Sequence, residues 1–290
     1  MILTAIILSD KAGTMSIRLI ALDLDGTLLD SQKRLSDRNR EALKACIARG
    51  IYVVPCTGRT VEGIPKMITE IPGIRYAITV NGGSIVDMEK KKILDQRLME
   101  KEIALDIINQ IKDRHIMYDI YADGQGISED RFYNHLDEYK IKKEIQQLVK
   151  RTRRVVPNII QYVKQKEGMV DKVNLFFSDL EEREEIRTLL KQRTDVIVSS
   201  SLYNNLEINA LGAEKGEALL RLASILGVLP EETMACGDGD NDASMIRLAG
   251  TGVVMENGEE HIKRIADYIT ASNDESGVAQ AIEALALSGI

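Results

Sequence analysis

The sequence predicts an α/β protein in two parts, a doubly wound parallel sheet and an α+β module inserted into it. Three observations carry this expectation. Short apolar runs alternate with helix-period segments near both ends of the chain, the rhythm of a right-handed wound parallel sheet. Several of those runs stop at small polar clusters, Asp23/Asp25, Thr57/Gly58, Asn81 and Asp238/Asn241/Asp242, as strands do at the ligand-binding edge of open α/β sheets. Between the two rhythmic parts, about 125 residues change to hairpins and mixed elements, too much chain for a loop.

The first strand is expected over residues 17–24, an apolar run of the kind buried on both faces. Near its end come Asp23 and Asp25, which period-two alternation puts on the same side, and Gly26 turns the chain. Ser36 caps a helix running to Arg49, with Gly50 past its end. Residues 51–56 form a second strand ending in Thr57-Gly58-Arg59. A helix is expected over 61–70, then a third strand over 76–80 ending in Asn81-Gly82-Gly83. The inserted module is placed at 83–209. It is read as a hairpin (84–88 with 92–96), a helix at 101–113, a strand at 116–121 and a long polar helical region at 132–151. A strand at 170–177, a helix at 180–192 and strands at 196–199 and 205–209 complete it. The core, 16–82 and 210–290, resumes with a helix over 214–226. A strand over 233–237 then leads into Asp238-Gly239-Asp240-Asn241-Asp242. Helices at 243–249, 259–265 and 276–286 alternate with strands at 251–255 and 267–269.

The length of 290 residues points to two domains. A formal net charge of −7 argues against non-specific nucleic-acid or anionic-membrane binding. No nucleic-acid or membrane partner is therefore expected, and the chain is expected as a monomer or homodimer. Cys46, Cys56 and Cys236 are far apart and lack metal-ligand spacing, so they read as reduced, buried thiols of a cytoplasmic protein. Residues 1–15 are expected to form a disordered leader. Their apolar start is too short for a membrane span and lacks a basic n-region and a cleavage site; Met15 offers an alternative start.

Parallel neighbours would bring the polar clusters to one sheet edge. Asp23 and Asp25 repel each other unless a cation neutralises them. Carboxylates and an amide facing one crevice suit Mg²⁺, which takes one or two carboxylates plus substrate phosphate. No His lies in the clusters, which disfavours zinc. Lys215, opening a helix after the insertion, can balance the carboxylates and hold a phosphate oxygen. Milder readings hold elsewhere. Asp240 is read as a solvated loop residue, Arg59 as an anchor of its turn or a substrate contact, and Asn81 as a loop tie. The basic run from Lys140 to Arg154 is read as a solvated helix face, and Phe132, Tyr133 and Tyr139 as helix core. His115, His135 and His261 receive no catalytic role.

In this order and spacing, Asp23-Leu24-Asp25-Gly26-Thr27-Leu28-Leu29, Thr57-Gly58-Arg59, Lys215 and Gly237-Asp238-Gly239-Asp240-Asn241-Asp242 resemble the motifs of the haloacid dehalogenase-like hydrolases. The large insertion between the Thr and Lys motifs is similar to that of their Cof-type phosphatase branch. The resemblance implies a Rossmann-like core with an α/β cap that selects substrate. It implies Asp23 as a nucleophile that carries the phosphoryl group and Asp25 as the acid and base. It further implies Mg²⁺ held by Asp23, the Asp25 carbonyl and Asp238, with Asp242 as a further or supporting ligand. Thr57, Gly58, Lys215 and Asn241 would bind the transferring oxygens. The expected activity is hydrolysis of small phosphorylated metabolites such as sugar phosphates or phosphorylated cofactors. A phosphomutase of the same fold, or a non-catalytic phospho-acceptor module, are the alternatives.

Overall fold

The computed structural model of the chain describes residues 16–288; the leader expected over 1–15 lies outside them. β1 (Leu19–Leu22) is buried along its whole length, its four residues 1% exposed or less. α1 (Asp37–Ala48) begins where expected, with the Ser36 side chain accepting a hydrogen bond from the Asn39 amide at 3.2 Å. β2 (Tyr52–Pro55) follows. The helix expected over 61–70 is shorter: a 3₁₀ turn at Val61–Gly63 precedes α2 (Lys66–Thr69). Pro65, lacking an amide hydrogen, separates them. β3 (Tyr76–Thr79) leads into the hairpin β4 (Ser84–Asp87) and β5 (Lys92–Gln96). This hairpin, expected to open the inserted module, pairs antiparallel with β3 instead and widens the first sheet.

The inserted elements are α3 (Lys101–Ile111), β6 (Ile116–Ala122), β7 (Gln125–Glu129), α4 (Asp130–Tyr133), α5 (Lys143–Thr152) and β8 (Arg153–Val156). They continue with α6 (Ile159–Gln165), β9 (Lys172–Phe177), α7 (Leu180–Leu190), β10 (Val196–Ser199) and β11 (Asn205–Ala210). β7, β8 and α6 depart from the sequence expectation, and the helical region expected over 132–151 is broken into α4, a 3₁₀ turn at Leu136–Tyr139 and α5. β7 is reached through a tight Asp123-Gly124 turn with both residues at positive φ, 54° and 73°, the geometry that Asp-Gly favours in hairpins. β8 starts with Arg153-Arg154, which looks like more charged helix, yet it pairs in parallel with β7. The six strands order as β10-β11-β9-β6-β7-β8. One face of this sheet, with Tyr118, Ile120, Leu175 and Ile208, packs with α3, α6 and α7 in one apolar cluster. Phe132 and Tyr139 belong to the same cluster, the helix-core role expected of them. The opposite face carries Asp119, Tyr121, Lys172, Asn174, Asn205, Glu207 and Asn209, polar side chains that are nonetheless buried.

The chain returns through α8 (Lys215–Leu226), β12 (Thr233–Gly237), α9 (Ala243–Leu248), β13 (Thr251–Met255), α10 (Glu260–Lys263), β14 (Tyr268–Thr270) and α11 (Gly277–Leu285). The central sheet runs β14-β13-β12-β1-β2, all parallel. A parallel bridge from Cys56 to Ile78 continues it to β3. Alternation along β1 splits the core: Ile20 and Leu22 pack with α1 and α11, Leu19 and Ala21 with α8 and α9. The three cysteines are buried and free, as read from the sequence.

Asn39 ties this core together. Its amide nitrogen donates to the Leu28 carbonyl at 3.1 Å, and its oxygen accepts from the Ala279 amide at 2.9 Å. Asn39→Ala strands two buried backbone groups and is expected to lower stability by about 2–4 kcal/mol, measured by chemical denaturation.

Candidate active site

The register of the central sheet brings the polar clusters to one level. Leu22 lies opposite Cys236 on β12 and Pro55 on β2, so Asp23, Asp238 and Thr57 emerge side by side. The strand order reverses between β12 and β1, the switch point where open α/β sheets form a crevice. Oxygens of Asp23, Asp238 and Asp242 lie within 4.8 Å of one another. The Lys215 ammonium bridges two of them, 2.6 Å from Asp23 Oδ1 and 2.6 Å from Asp242 Oδ1. Thr27 Oγ1 donates to Asp238 Oδ1 at 2.8 Å. Gly26, at φ +88°, passes so close to the Asp238 carboxylate that a Cβ would collide with it.

Three carboxylates around one ammonium leave two negative charges uncompensated. Burial pushes the Asp23 carboxyl up to about 7; Lys215 opposes this, and the Asp242 and Asp25 charges add to it. Asp238 is pushed up to about 8 by burial and by the charges of Asp23 and Asp242. Burial works against the Lys215 charge, but Asp23 and Asp242 hold its pKa well above the ordinary value. The donor set is all oxygen and carries about the charge that one divalent cation balances, so the residues fit a hard cation such as Mg²⁺. Asp242 is less free than its neighbours. Its Oδ2 accepts from the Asp238 and Gly239 amides at 2.9 and 3.0 Å while Oδ1 holds Lys215.

Asp25 stands apart from this cluster. Arg59 grips it with two hydrogen bonds, Nε to Oδ2 at 2.8 Å and Nη2 to Oδ1 at 2.7 Å, and Lys33 adds a third contact at 2.7 Å. Burial alone would raise the Asp25 pKa, but these cations lower it. Thr57 is buried, its hydroxyl accepting from the Arg59 amide at 3.3 Å. Asn241 donates to Asn81 Oδ1 at 3.2 Å. Asp23, Asp25, Thr57, Gly58, Asp238 and Asn241 share one crevice of about 800 Å³, counting its open mouth. Lys215 and Asp242 are buried beside Asp23 and are not exposed to the crevice.

The far wall of the crevice comes from the inserted module and is largely apolar, with Ile145, Leu148 and Phe176. Sequence reasoning missed several residues here. Lys33 carries no motif signal. Arg59 was visible beside Thr57-Gly58, but its partner Asp25 was not. Arg153, counted with a solvated basic face, is buried instead and bonds Asp119 at 2.9 Å. Asp240, read as solvated, pairs with Arg187 of α7 at 2.7 Å.

This fold and site define a hydrolase with a Rossmann-like α/β core and an inserted cap. The sequence profile of the haloacid dehalogenase-like hydrolases matches residues 20–282, and the chain belongs to that family. Among its relatives is the 5-amino-6-(5-phospho-D-ribitylamino)uracil phosphatase YwtE of Bacillus subtilis. The two are 31% identical over 286 residues, covering 93% of this chain and 98% of that protein. The pyridoxal phosphate phosphatase YbhA of Escherichia coli is 28% identical over 272 residues, covering 92% and 98%. A solved haloacid dehalogenase-like hydrolase from B. subtilis superposes with a TM-score of 0.82 at 31% identity, covering 93% of this chain and 100% of that one. No helix among the described residues is long and apolar enough to cross a membrane.

The raised carboxyls make cation binding pH-dependent. With folded values of about 7 and 8, above the ordinary carboxylate range, the folded state binds more protons than the unfolded chain from about pH 4 upward. Metal-free stability therefore falls as pH rises through this window, and a cation must displace those protons. The rise in Tm on adding Mg²⁺ is expected to be larger at about pH 8.5 than at about pH 6, and to shrink in Asp238→Asn. A gain that is equal at both pH values contradicts this electrostatic account.

Proposed function

We propose that this protein is a Mg²⁺-dependent phosphatase of small phosphorylated metabolites, acting through an aspartyl-phosphate on Asp23. One observation carries the reading. The Asp23 carboxylate has one oxygen fixed by buried Lys215, while the other accepts no hydrogen bond among the described residues and its residue lines the crevice. A carboxylate so oriented, with positive charge beside it, is an activated nucleophile for an approaching phosphate. Phosphoryl transfer needs positioning and charge cancellation more than covalent chemistry.

In this reading Asp23 and Asp238, with the Asp25 backbone carbonyl, would hold Mg²⁺, and Asp242 fixes the Asp238 loop and Lys215. The ion supplies charge neutralisation for the phosphoryl oxygens. Thr57, the Gly58 amide, Lys215 and Asn241 bind those oxygens. Asp23 Oδ2 attacks phosphorus and the bond to the ester oxygen breaks. Asp25 delivers a proton to that oxygen, then takes one from the water that hydrolyses the aspartyl-phosphate. Arg59 and Lys33 hold Asp25 ionised, which suits the base step. The acid step requires substrate to loosen that grip.

The inserted module, from α3 to β11, acts as the cap that covers the crevice and meets the leaving group. The phosphatase relatives of similar length support this substrate class. The phosphomutase alternative needs a second phosphate site in the cap. The one cation of the basic run that lines the crevice, Arg153, is already charge-matched by Asp119, which favours hydrolysis.

Phosphate release from a panel of phosphorylated metabolites, with and without Mg²⁺, tests the proposal. Turnover is expected to require Mg²⁺ and to fall at least about 10³-fold in Asp23→Asn. Full turnover in that variant sinks the nucleophile assignment. Asp25→Asn is expected to accumulate phosphorylated protein, detected by intact mass, because its second step lacks a base. An Asp25→Asn variant whose bound phosphate turns over at the wild-type rate refutes the base role.

A further inference from the structure

The polar face of the cap sheet meets the phosphate end of the crevice through a buried ion pair. Lys172 on β9 is 1% exposed and Glu207 on β11 is 5% exposed. Lys172 Nζ donates to Glu207 Oε1 at 2.5 Å and to the Gly58 carbonyl at 3.0 Å, and lies 4.5 Å from the centre of the Tyr121 ring. The second oxygen of Glu207 accepts from Asn81 Nδ2 at 2.6 Å. Asn81, held at φ 58°, passes the contact on: its Oδ1 accepts from Asn241 Nδ2 at 3.2 Å. The fit around Gly58 is tight. A Cβ there would lie 2.8 Å from Asn81 Oδ1 and 3.4 Å from Glu207 Oε2.

We propose that Lys172 and Glu207 are positioning residues by which the cap sets the phosphate-binding groups of the core. Through Lys172 the cap fixes the Gly58 peptide, and through Glu207 and Asn81 it fixes the Asn241 amide. The phosphate subsite is thus complete only with the cap seated. This rests on the reading of Gly58 and Asn241 as ligands of the transferring oxygens. The energetics favour such a role over plain stabilisation. A buried ion pair is a weak source of net stability, but it fixes geometry, because each partner must stay where the other is. The donors of Lys172 are directed at a carboxylate, a core carbonyl and a ring face, so its position is fully determined. The two partners sit on adjacent cap strands, and their other hydrogen-bond partners, Gly58 and Asn81, both belong to the core. Seating the cap and ordering the subsite are therefore one event.

The test uses the full-length protein with Mg²⁺ and inorganic phosphate, which carries no leaving group. Lys172→Met/Glu207→Gln removes both charges at similar volume and strands neither. Its phosphate affinity, read by calorimetry and by product inhibition, is expected to fall about tenfold or more. Its kcat/KM is expected to fall by one common factor for a small and a bulky phosphate ester. Lys172→Arg, which keeps the charge, is expected to recover part of the affinity. Unchanged phosphate affinity overturns the proposal in either of two forms. With activity lost on the bulky ester alone, the pair reads the leaving group; with a lower Tm alone, it is structural. If the double variant does not fold, Asn81→Gly cuts the same chain on the core side at a position that accepts positive φ. Wild-type phosphate affinity in a folded Asn81→Gly overturns the proposal equally. A wild type that binds phosphate without hydrolysing any ester refutes the phosphatase reading and leaves the effect of the pair on affinity measurable. A wild type that does neither overturns both.

Discussion

The site depends on one buried ammonium. Lys215 opens α8, where the helix dipole already disfavours a cation, and it is fully buried. It is tolerated there because Asp23 and Asp242 each contact it at 2.6 Å. The same contacts join the end of β1 and the loop after β12 to the start of α8, the first of these 192 positions before Lys215. Removing one partner would leave a buried charge unmatched, which typically costs about 3–5 kcal/mol. The constellation is consequently part of the architecture of the core and is assembled with it.

The carboxylates exceed the cations at the floor of the crevice and are matched at its rim. Asp23 and Asp238 are pushed toward their neutral forms by burial and mutual repulsion. Asp25, with Arg59 and Lys33 against it, is held ionised. Two carboxylates two residues apart thus differ in chemistry because their surroundings differ. One is pushed toward its neutral form by burial and like charge, the other is held ionised by two cations.

The cap sheet shows how burial and polarity separate. Its strands alternate in the ordinary way, yet both faces are buried: one against helices of its own module, the other against the core. The second face carries charged and amide side chains, of which Lys172, Glu207 and Asn209 bond the core loops at Gly58, Asn81 and Val80. Such a face specifies one docking geometry, since a shift of register would leave several of these groups unpaired.

Much of this was legible in the residues. The core strands, the Ser36 cap and the polar strand ends follow from apolar runs, alternation and capping chemistry, which are local. The Asp and Lys motifs could be named because their spacing is distinctive. The inserted module was read less well. β7 was signalled by Asp123-Gly124 and α6 by the Asn158 cap, both passed over, while β8 lay hidden in a charged segment whose pairing partner decides its state. The hairpin β4–β5 was recognised as a hairpin, but its attachment to β3 is a tertiary choice.

By itself the sequence determined the order of the core elements, the acidic strand ends and the family, because these depend on short-range pattern and residue identity. Tertiary structure decided which charges meet. Arg59 and Lys33 on Asp25, Arg153 on Asp119, and Lys172 with Glu207 on Gly58 and Asn81 join residues separated by up to 126 positions. A side chain's charge is written in the chain; its partner is fixed only when packing and burial leave it a single place to be neutralised.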